Sequence, residues 1–267
     1  MLFVIDVGNT YIHMGVYRGE ELAAHWDISN ARGRTADELG MLILGLLDRE
    51  GIESDAIHGV AAACVVPPVC AVIEETFQKF FNLATLFAGP ESEKRLLERF
   101  EEPREVGADR IANAVGGFDR YGGPLIVVDF GTATTFDAID AEGAYLGGAI
   151  APGLAISVDA LFDRAARLPR IKLTRPPRAV ARDTISSMQA GIIFGYAGLV
   201  EMLVRRIRAE IGEGARVVAT GGMAELIVRE TGVVKTVDQH LTLLGLRLIY
   251  DRRIQEGPPA AGKRIRR

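Results

Sequence analysis

One nine-residue segment occurs twice in this chain. Leu2-Phe-Val-Ile-Asp6-Val-Gly8-Asn-Thr10 returns as Leu125-Ile-Val-Val-Asp129-Phe-Gly131-Thr-Ala133, with Asp6 and Asp129 separated by 123 residues. Each copy is an apolar run that ends on Asp-x-Gly and a hydroxyl-bearing turn. Each is followed by a second apolar stretch, Met14 to Tyr17 and Phe136 to Ile139, so each predicts a strand that turns back on itself as a hairpin. A duplicated chain folds as two like halves. The spacing predicts an N-terminal domain over 1–116 and a C-terminal one over 117–255, with the break near Gly116 to Gly123.

The elements between the repeats alternate. Leu2 to Ile5, Val60 to Val66, Leu125 to Val128 and Val217 to Ala219 are short apolar runs bounded by turn signals, the form of buried strands. Ala36 to Glu50 carries Leu39, Leu42, Ile43, Leu46 and Leu47 at helical spacing and stops at Gly51; Val72 to Phe81, Ala112 to Tyr121 and Thr184 to Ile211 read as further helices. Strands alternating with helices give an α/β fold. Within the last of these helices, Gly191, Gly195 and Gly198 sit among apolar residues. They suit either tight packing against the protein's own sheet or close approach of a second copy, and the sequence leaves both open.

Composition narrows the partners. With 48% hydrophobic residues among 267, the chain can fill its cores unaided. A net charge of −4 gives no field to recruit nucleic acid or an anionic membrane surface. The apolar stretch from Gly59 to Ile73 is too short for a bilayer and is interrupted by Pro67-Pro68. Leu2-Phe-Val-Ile meets Asp6 without a basic leader. A cytoplasmic protein acting on a small molecule is expected. Cys64 and Cys70 fit neither a Cys-x-x-Cys redox pair nor a zinc knuckle and are read as idle thiols. Residues 256–267, ending Lys-Arg-Ile-Arg-Arg, are read as a disordered basic tail.

The chemistry gathers at the repeats. Asp6-Val-Gly-Asn-Thr10 places a carboxylate, a glycine that admits close approach and two hydrogen-bonding side chains at a strand end. That set suits a nucleotide phosphate held with a cation. Asp129-Phe-Gly-Thr132-Ala-Thr-Thr-Phe-Asp137 repeats the theme with threonine hydroxyls. Thr220-Gly221-Gly222 follows a strand and precedes a helical segment, leaving room for the adenosine part of a nucleotide. The chain has no Gly-x-x-x-x-Gly-Lys-Ser/Thr loop. The nucleotide fold that uses two such turns is the actin-like one, in which ATP occupies the cleft between two duplicated ribonuclease-H-like domains.

Val106-Gly107-Ala108-Asp109-Arg110 precedes an apolar helix, where Asp109 suits a cap or a catalytic base. Together with Asp6-Val-Gly-Asn-Thr10, Asp129 to Asp137, Gly147-Gly-Ala-Ile-Ala-Pro-Gly153 and Thr220-Gly-Gly222, it resembles the ordered signature of the type III pantothenate kinases. The resemblance runs to about Ile249. It implies that Asp6, Val7, Gly8, Asn9, Thr10, Tyr11, Ile12, His13, Thr132, Gly221 and Gly222 bind ATP. It also implies that Phe100, Gly107, Ala108, Asp109, Arg110 and Thr184 meet pantothenate, with Asp109 as proton acceptor. Asp129 would hold a monovalent cation, K+ or NH4+, and Asp6 would meet Mg2+ through water. The family works as a homodimer with a shared substrate pocket.

Three departures stand out. Ala88-Gly89-Pro90-Glu91 does not continue into the glycine and lysine run usual in the family, Phe100 stands where a tyrosine is usual, and Glu102 where an asparagine is usual. Losing the tyrosine hydroxyl weakens substrate binding by about 0.5 to 1.5 kcal/mol. The departures also suit a nucleotide-binding regulatory paralogue, or an actin-like kinase for another hydroxylated acceptor.

Overall fold

Both copies of the repeat form antiparallel hairpins in the computed structural model, which describes residues 1–31, 33–165 and 168–256. In chain order the elements are β1 (Leu2–Val7), β2 (Tyr11–Arg18), β3 (Glu21–Ser29), α1 (Ala36–Arg49), β4 (Gly59–Cys64), α2 (Pro67–Phe81), β5 (Thr85–Phe87), α3 (Ala108–Tyr121), β6 (Leu125–Phe130), β7 (Ala133–Ile139), β8 (Tyr145–Pro152), α4 (Leu154–Arg164), α5 (Thr184–Ile211), β9 (Arg216–Thr220), α6 (Ala224–Val228), β10 (Thr236–Val237) and α7 (Leu241–Gln255). The first five strands form one sheet, in the order β3-β2-β1-β4-β5. The other five form a second, in the order β10-β9-β6-β7-β8. Read from the hairpin outward, the two orders are the same.

Two units result. The first comprises residues 1–94, 102–116 and, from Thr242, the last helix; the second comprises 95–101 and 117–241.

In the first unit, β1 pairs antiparallel with β2 and parallel with β4. A strand with neighbours on both sides and helices over the sheet is apolar throughout, and Phe3, Val4 and Ile5 are fully buried. Phe3, Ile5, Met14, Leu39, Ile43 and Phe77 form the centre of its core. α1 starts in a capping box, with the Thr35 hydroxyl accepting from the Glu38 amide and the Glu38 carboxylate accepting from the Thr35 amide. α2 starts earlier than the apolar spacing predicts, at Pro67 rather than Val72. Prolines fit the first turn because its amides have no helical partner to lose. α3 likewise begins at Ala108 rather than Ala112.

The reading of the cysteines as idle thiols is corrected. Cys64 and Cys70 form a disulfide, with Cα atoms 5.9 Å apart. β4 ends on Cys64 and α2 starts three residues later, so the first turns of that helix carry Cys70 back over the strand end.

In the second unit, β6 pairs antiparallel with β7 and parallel with β9. Ile126, Val128, Phe136, Ile193, Val200 and Val217 are central to its core. α5 spans Thr184–Ile211, and the Asp183 side chain caps it by accepting from the Ser186 amide. Its buried face runs through Ile192, Ile193, Tyr196, Val200 and Val204. Gly191, Gly195 and Gly198 lie on the exposed face, and a methyl group on any of them would meet nothing within 4 Å. Tight packing against the protein's own sheet therefore does not account for them. The segment called as a basic tail lies, from residue 257, outside the described residues.

Candidate active site

The first Asp-x-Gly turn closes the β1–β2 hairpin. Asp6, one residue before the end of β1, is half-buried, Val7 is buried, and Asn9, Thr10 and Tyr11 are exposed at the tip. The Gly8 amide donates to the Tyr11 carbonyl at 3.0 Å, which sets the turn. Asn30, just past the end of β3, clamps it: its side-chain amide donates to the Gly8 carbonyl at 2.8 Å, and its backbone amide donates to the Thr10 carbonyl, also at 2.8 Å. Ile12 points into the core. His13 faces Asp27 across the β2–β3 ladder, with Nδ1 and Oδ1 2.6 Å apart. Nothing in the sequence around Asn30 marks it out, since it acts on the turn through the fold.

The Asp109 motif stands beside this turn within the first unit. The register that pairs Asp6 with Ala63 pairs Val7 with Cys64, so the ends of β1 and β4 lie together. Val65, just beyond that end, lies 3.8 Å from where a methyl group on Gly107 would sit. The same methyl would collide with the Asp109 carboxylate, so a side chain at Gly107 would push that carboxylate aside. Asp109 is in the first turn of α3, and its Oδ1 accepts from the Arg110 amide at 2.8 Å. An anionic oxygen on a helix amide at its N-terminus is held in place and favoured by the helix dipole. Ala108 and Arg110 flank it, half-buried.

The second unit repeats the design with different bracing. Asp129 lies half-buried near the end of β6, opposite Thr220 at the end of β9. Gly221, at φ +89°, sits against it: a methyl group there would lie 2.5 Å from the Asp129 carboxylate and 2.7 Å from the Phe130 carbonyl carbon. Gly222 is exposed beside it. Thr132 is in the β6–β7 turn, and its carbonyl accepts from the Gly153 amide at 3.2 Å.

The segment 95–101 carries Phe100 onto this unit. Tyr145 donates its amide to the Leu96 carbonyl at 2.8 Å, and Arg99 pairs with Asp140 at 2.5 Å. The Phe100 ring packs over Gly147 and edge-on to Tyr145, with ring centroids 5.4 Å apart. The Tyr145 hydroxyl in turn donates to the buried carboxylate of Asp137 at 2.8 Å. Thr184 stands at the exposed start of α5.

Each repeat thus presents a carboxylate and a glycine turn at the carboxyl end of its central strand, where open α/β sheets bind ligands. The model of the type III pantothenate kinases matches residues 2–206. The chain belongs to the type III pantothenate kinase family. Members include Type III pantothenate kinase 2 of Symbiobacterium thermophilum, 52% identical over 255 residues and covering 94% of this chain and 97% of that one. The Type III pantothenate kinase of Geobacter sulfurreducens is 49% identical over 252 residues, covering 94% and 99%. Among solved structures, component A of the Acidaminococcus fermentans (R)-2-hydroxyglutaryl-CoA dehydratase superposes with a TM-score of 0.58 at 15% identity, over 94% of this chain and 97% of that one. The inorganic polyphosphate/ATP-glucomannokinase of Arthrobacter sp. strain KM gives 0.50 at 12%, over 95% and 98%. At such identities these two share the fold alone, which is actin-like, as the type III pantothenate kinase signature implies.

Proposed function

We propose that the chain transfers the γ-phosphoryl group of ATP to the hydroxyl of pantothenate, forming 4'-phosphopantothenate in the first step of coenzyme A biosynthesis. The observation that carries this reading is the pair of Asp-x-Gly turns at equivalent strand ends, in a chain whose family motifs run in order from Asp6 to Gly222.

Asp6 to His13, Thr132, Gly221 and Gly222 take the nucleotide. Gly107, Ala108, Asp109, Arg110, Phe100 and Thr184 take pantothenate, with Arg110 offering a planar fork to its carboxylate. Asp6 and Asp129 each offer a carboxylate, the hard oxygen donor that suits Mg2+ shared with substrate phosphates and a monovalent cation such as K+ or NH4+. Those ions, when bound, offset the phosphate charge. The protein's own part is alignment, because a loose phosphoryl-transfer transition state needs positioning more than a strong base. Asp109, oriented by the Arg110 amide, accepts the hydroxyl proton as the new O–P bond forms. The exposed glycine row of α5 fits a homodimer, in which a second backbone approaches closely.

ADP release from ATP, Mg2+ and K+, with and without pantothenate, tests the reading. Release that depends on pantothenate and is lost in Asp109→Asn, with ATP binding kept, is expected. ATP binding without release in the wild type would leave the regulatory paralogue as the answer, and release with a different hydroxylated acceptor would change the substrate.

A further inference from the structure

The motif Gly147-Gly-Ala-Ile-Ala-Pro-Gly153 has no role in the scheme above, yet its last residue lies on the second phosphate turn. Gly153 follows β8 and caps α4. Its amide donates to the Thr132 carbonyl at 3.2 Å, and its own carbonyl accepts from the Ser157 hydroxyl at 3.0 Å. A methyl group at Gly153 would overlap the carbonyl oxygen of Thr132 and stand 2.6 Å from that of Gly131. Those neighbours are backbone atoms and have no rotamer to move to. Gly153 has φ −67°, so its backbone is one that any residue adopts. Only the approach of the turn demands glycine there. On the other flank, Gly221 at φ +89° meets the Asp129 carboxylate and the Phe130 backbone. The turn from Asp129 to Thr132 is thus held between two glycines that follow different strands, β8 and β9.

We propose that Gly153 is a positioning residue for nucleotide and cation binding, one jaw of a clamp on the Asp129–Thr132 turn whose other jaw is Gly221. It touches no substrate. It acts by fixing the turn that carries Thr132 and Asp129, and so rests on the reading of those two residues as nucleotide and cation contacts. Atoms that align a phosphoryl group lose much of their effect when displaced by about 1 Å. A side chain at Gly153 displaces the turn by more than its neighbours can absorb.

The test is steady-state kinetics of pantothenate-dependent ADP release, with KM for ATP, half-saturation by K+ and KM for pantothenate measured separately. Gly153→Ala is expected to raise the ATP and K+ values at least tenfold and to leave the pantothenate value within twofold. Gly148→Ala is the comparison: it would overlap the Phe136 carbonyl in the same β7–β8 ladder, away from the turn. It is expected to reduce the yield of folded enzyme without splitting the KM values. Should Gly153→Ala fail to fold, Ser157→Ala decides, since it loosens Gly153 without overlap; a rise of about threefold in the ATP value is then expected. Unchanged ATP and K+ values in whichever of these variants folds, or an equal rise in all three values, would overturn the clamp. Absence of pantothenate-dependent release in the wild type would instead strike the kinase reading itself.

Discussion

Gly245 of α7 lies so close to Ala112 of α3 that a methyl group on it would overlap the Ala112 carbonyl oxygen. The two helices touch backbone to backbone, and the Thr242 hydroxyl bonds the Asn113 side chain at 2.7 Å one turn away. α3 carries Asp109, so α7 fixes the helix that presents the proposed base. In an open helical position, alanine in place of glycine stabilises by up to about 1 kcal/mol. Gly45→Ala on the exposed side of α1, where nothing lies within 4 Å, should do so. Gly245→Ala should do the reverse, costing about 1 to 3 kcal/mol through overpacking. Paired urea titrations of the two variants check the opposite signs.

Glu93 is only 8% exposed and meets Arg252 of α7 at 3.2 Å. Burial pushes its carboxyl above the ordinary 4.5, and the Arg252 guanidinium offsets this only in part. Above the ordinary value, the folded chain therefore keeps a proton that the unfolded chain has released. The contribution of Glu93 to stability is full below that value and is lost as pH rises through the folded pKa. Glu93→Gln should flatten this part of the stability profile, so the wild-type urea midpoint should fall further between pH 5 and pH 8 than the variant's. Parallel profiles would refute it.

Phe100 is held over Gly147 and against Tyr145, at the position where the sequence resemblance implies a tyrosine hydroxyl. Phe100→Tyr should lower KM for pantothenate by about twofold to tenfold, the worth of one neutral hydrogen bond, with KM for ATP unmoved. Surface plasmon resonance or kinetics will show it. A rise in the pantothenate value would mean that the ring faces elsewhere.

The Cys64–Cys70 disulfide closes a short loop, and such a link stabilises by about 2 kcal/mol in the chain-entropy picture. A thiol reductant opens such a link, so its state sets part of the stability. The thermal midpoint should drop by several degrees on adding dithiothreitol. Cys64→Ser/Cys70→Ser should show the lower midpoint with or without reductant, because the chain has no other cysteine.

The glycine row of α5 gives a fifth test. Gly195→Arg puts a long charged side chain where the proposed homodimer needs close approach. Sedimentation should show the mass of one chain for the variant and of two for the wild type, and a monomeric wild type would dispose of the dimer.

Much of this architecture is written locally. The two hairpins, the length of α5 and the capping of α1 follow from apolar spacing, Asp-x-Gly turns and Thr-x-x-Glu, signals that act within a few residues. α2 and α3 start four or five residues ahead of their apolar periodicity, because proline and aspartate specify the first turn by backbone chemistry rather than burial. Contacts between distant segments left no local trace. Asn30 on the first turn, Gly153 on the second, Gly245 on Ala112 and the Cys64–Cys70 bond all depend on which strand ends the fold brings together, and spacing along the chain is silent on that.

The registers align Cys64 with Gly221: each is one residue past the partner of its repeat's aspartate, Ala63 opposite Asp6 and Thr220 opposite Asp129. One half spends that position on a covalent tie and the other on the close approach of the Asp129 carboxylate and the Phe130 backbone. A protein engineer could therefore not swap the two half-repeats as modules, because the second turn needs a bare hydrogen at the place where the first has the side-chain carbon that carries its sulfur.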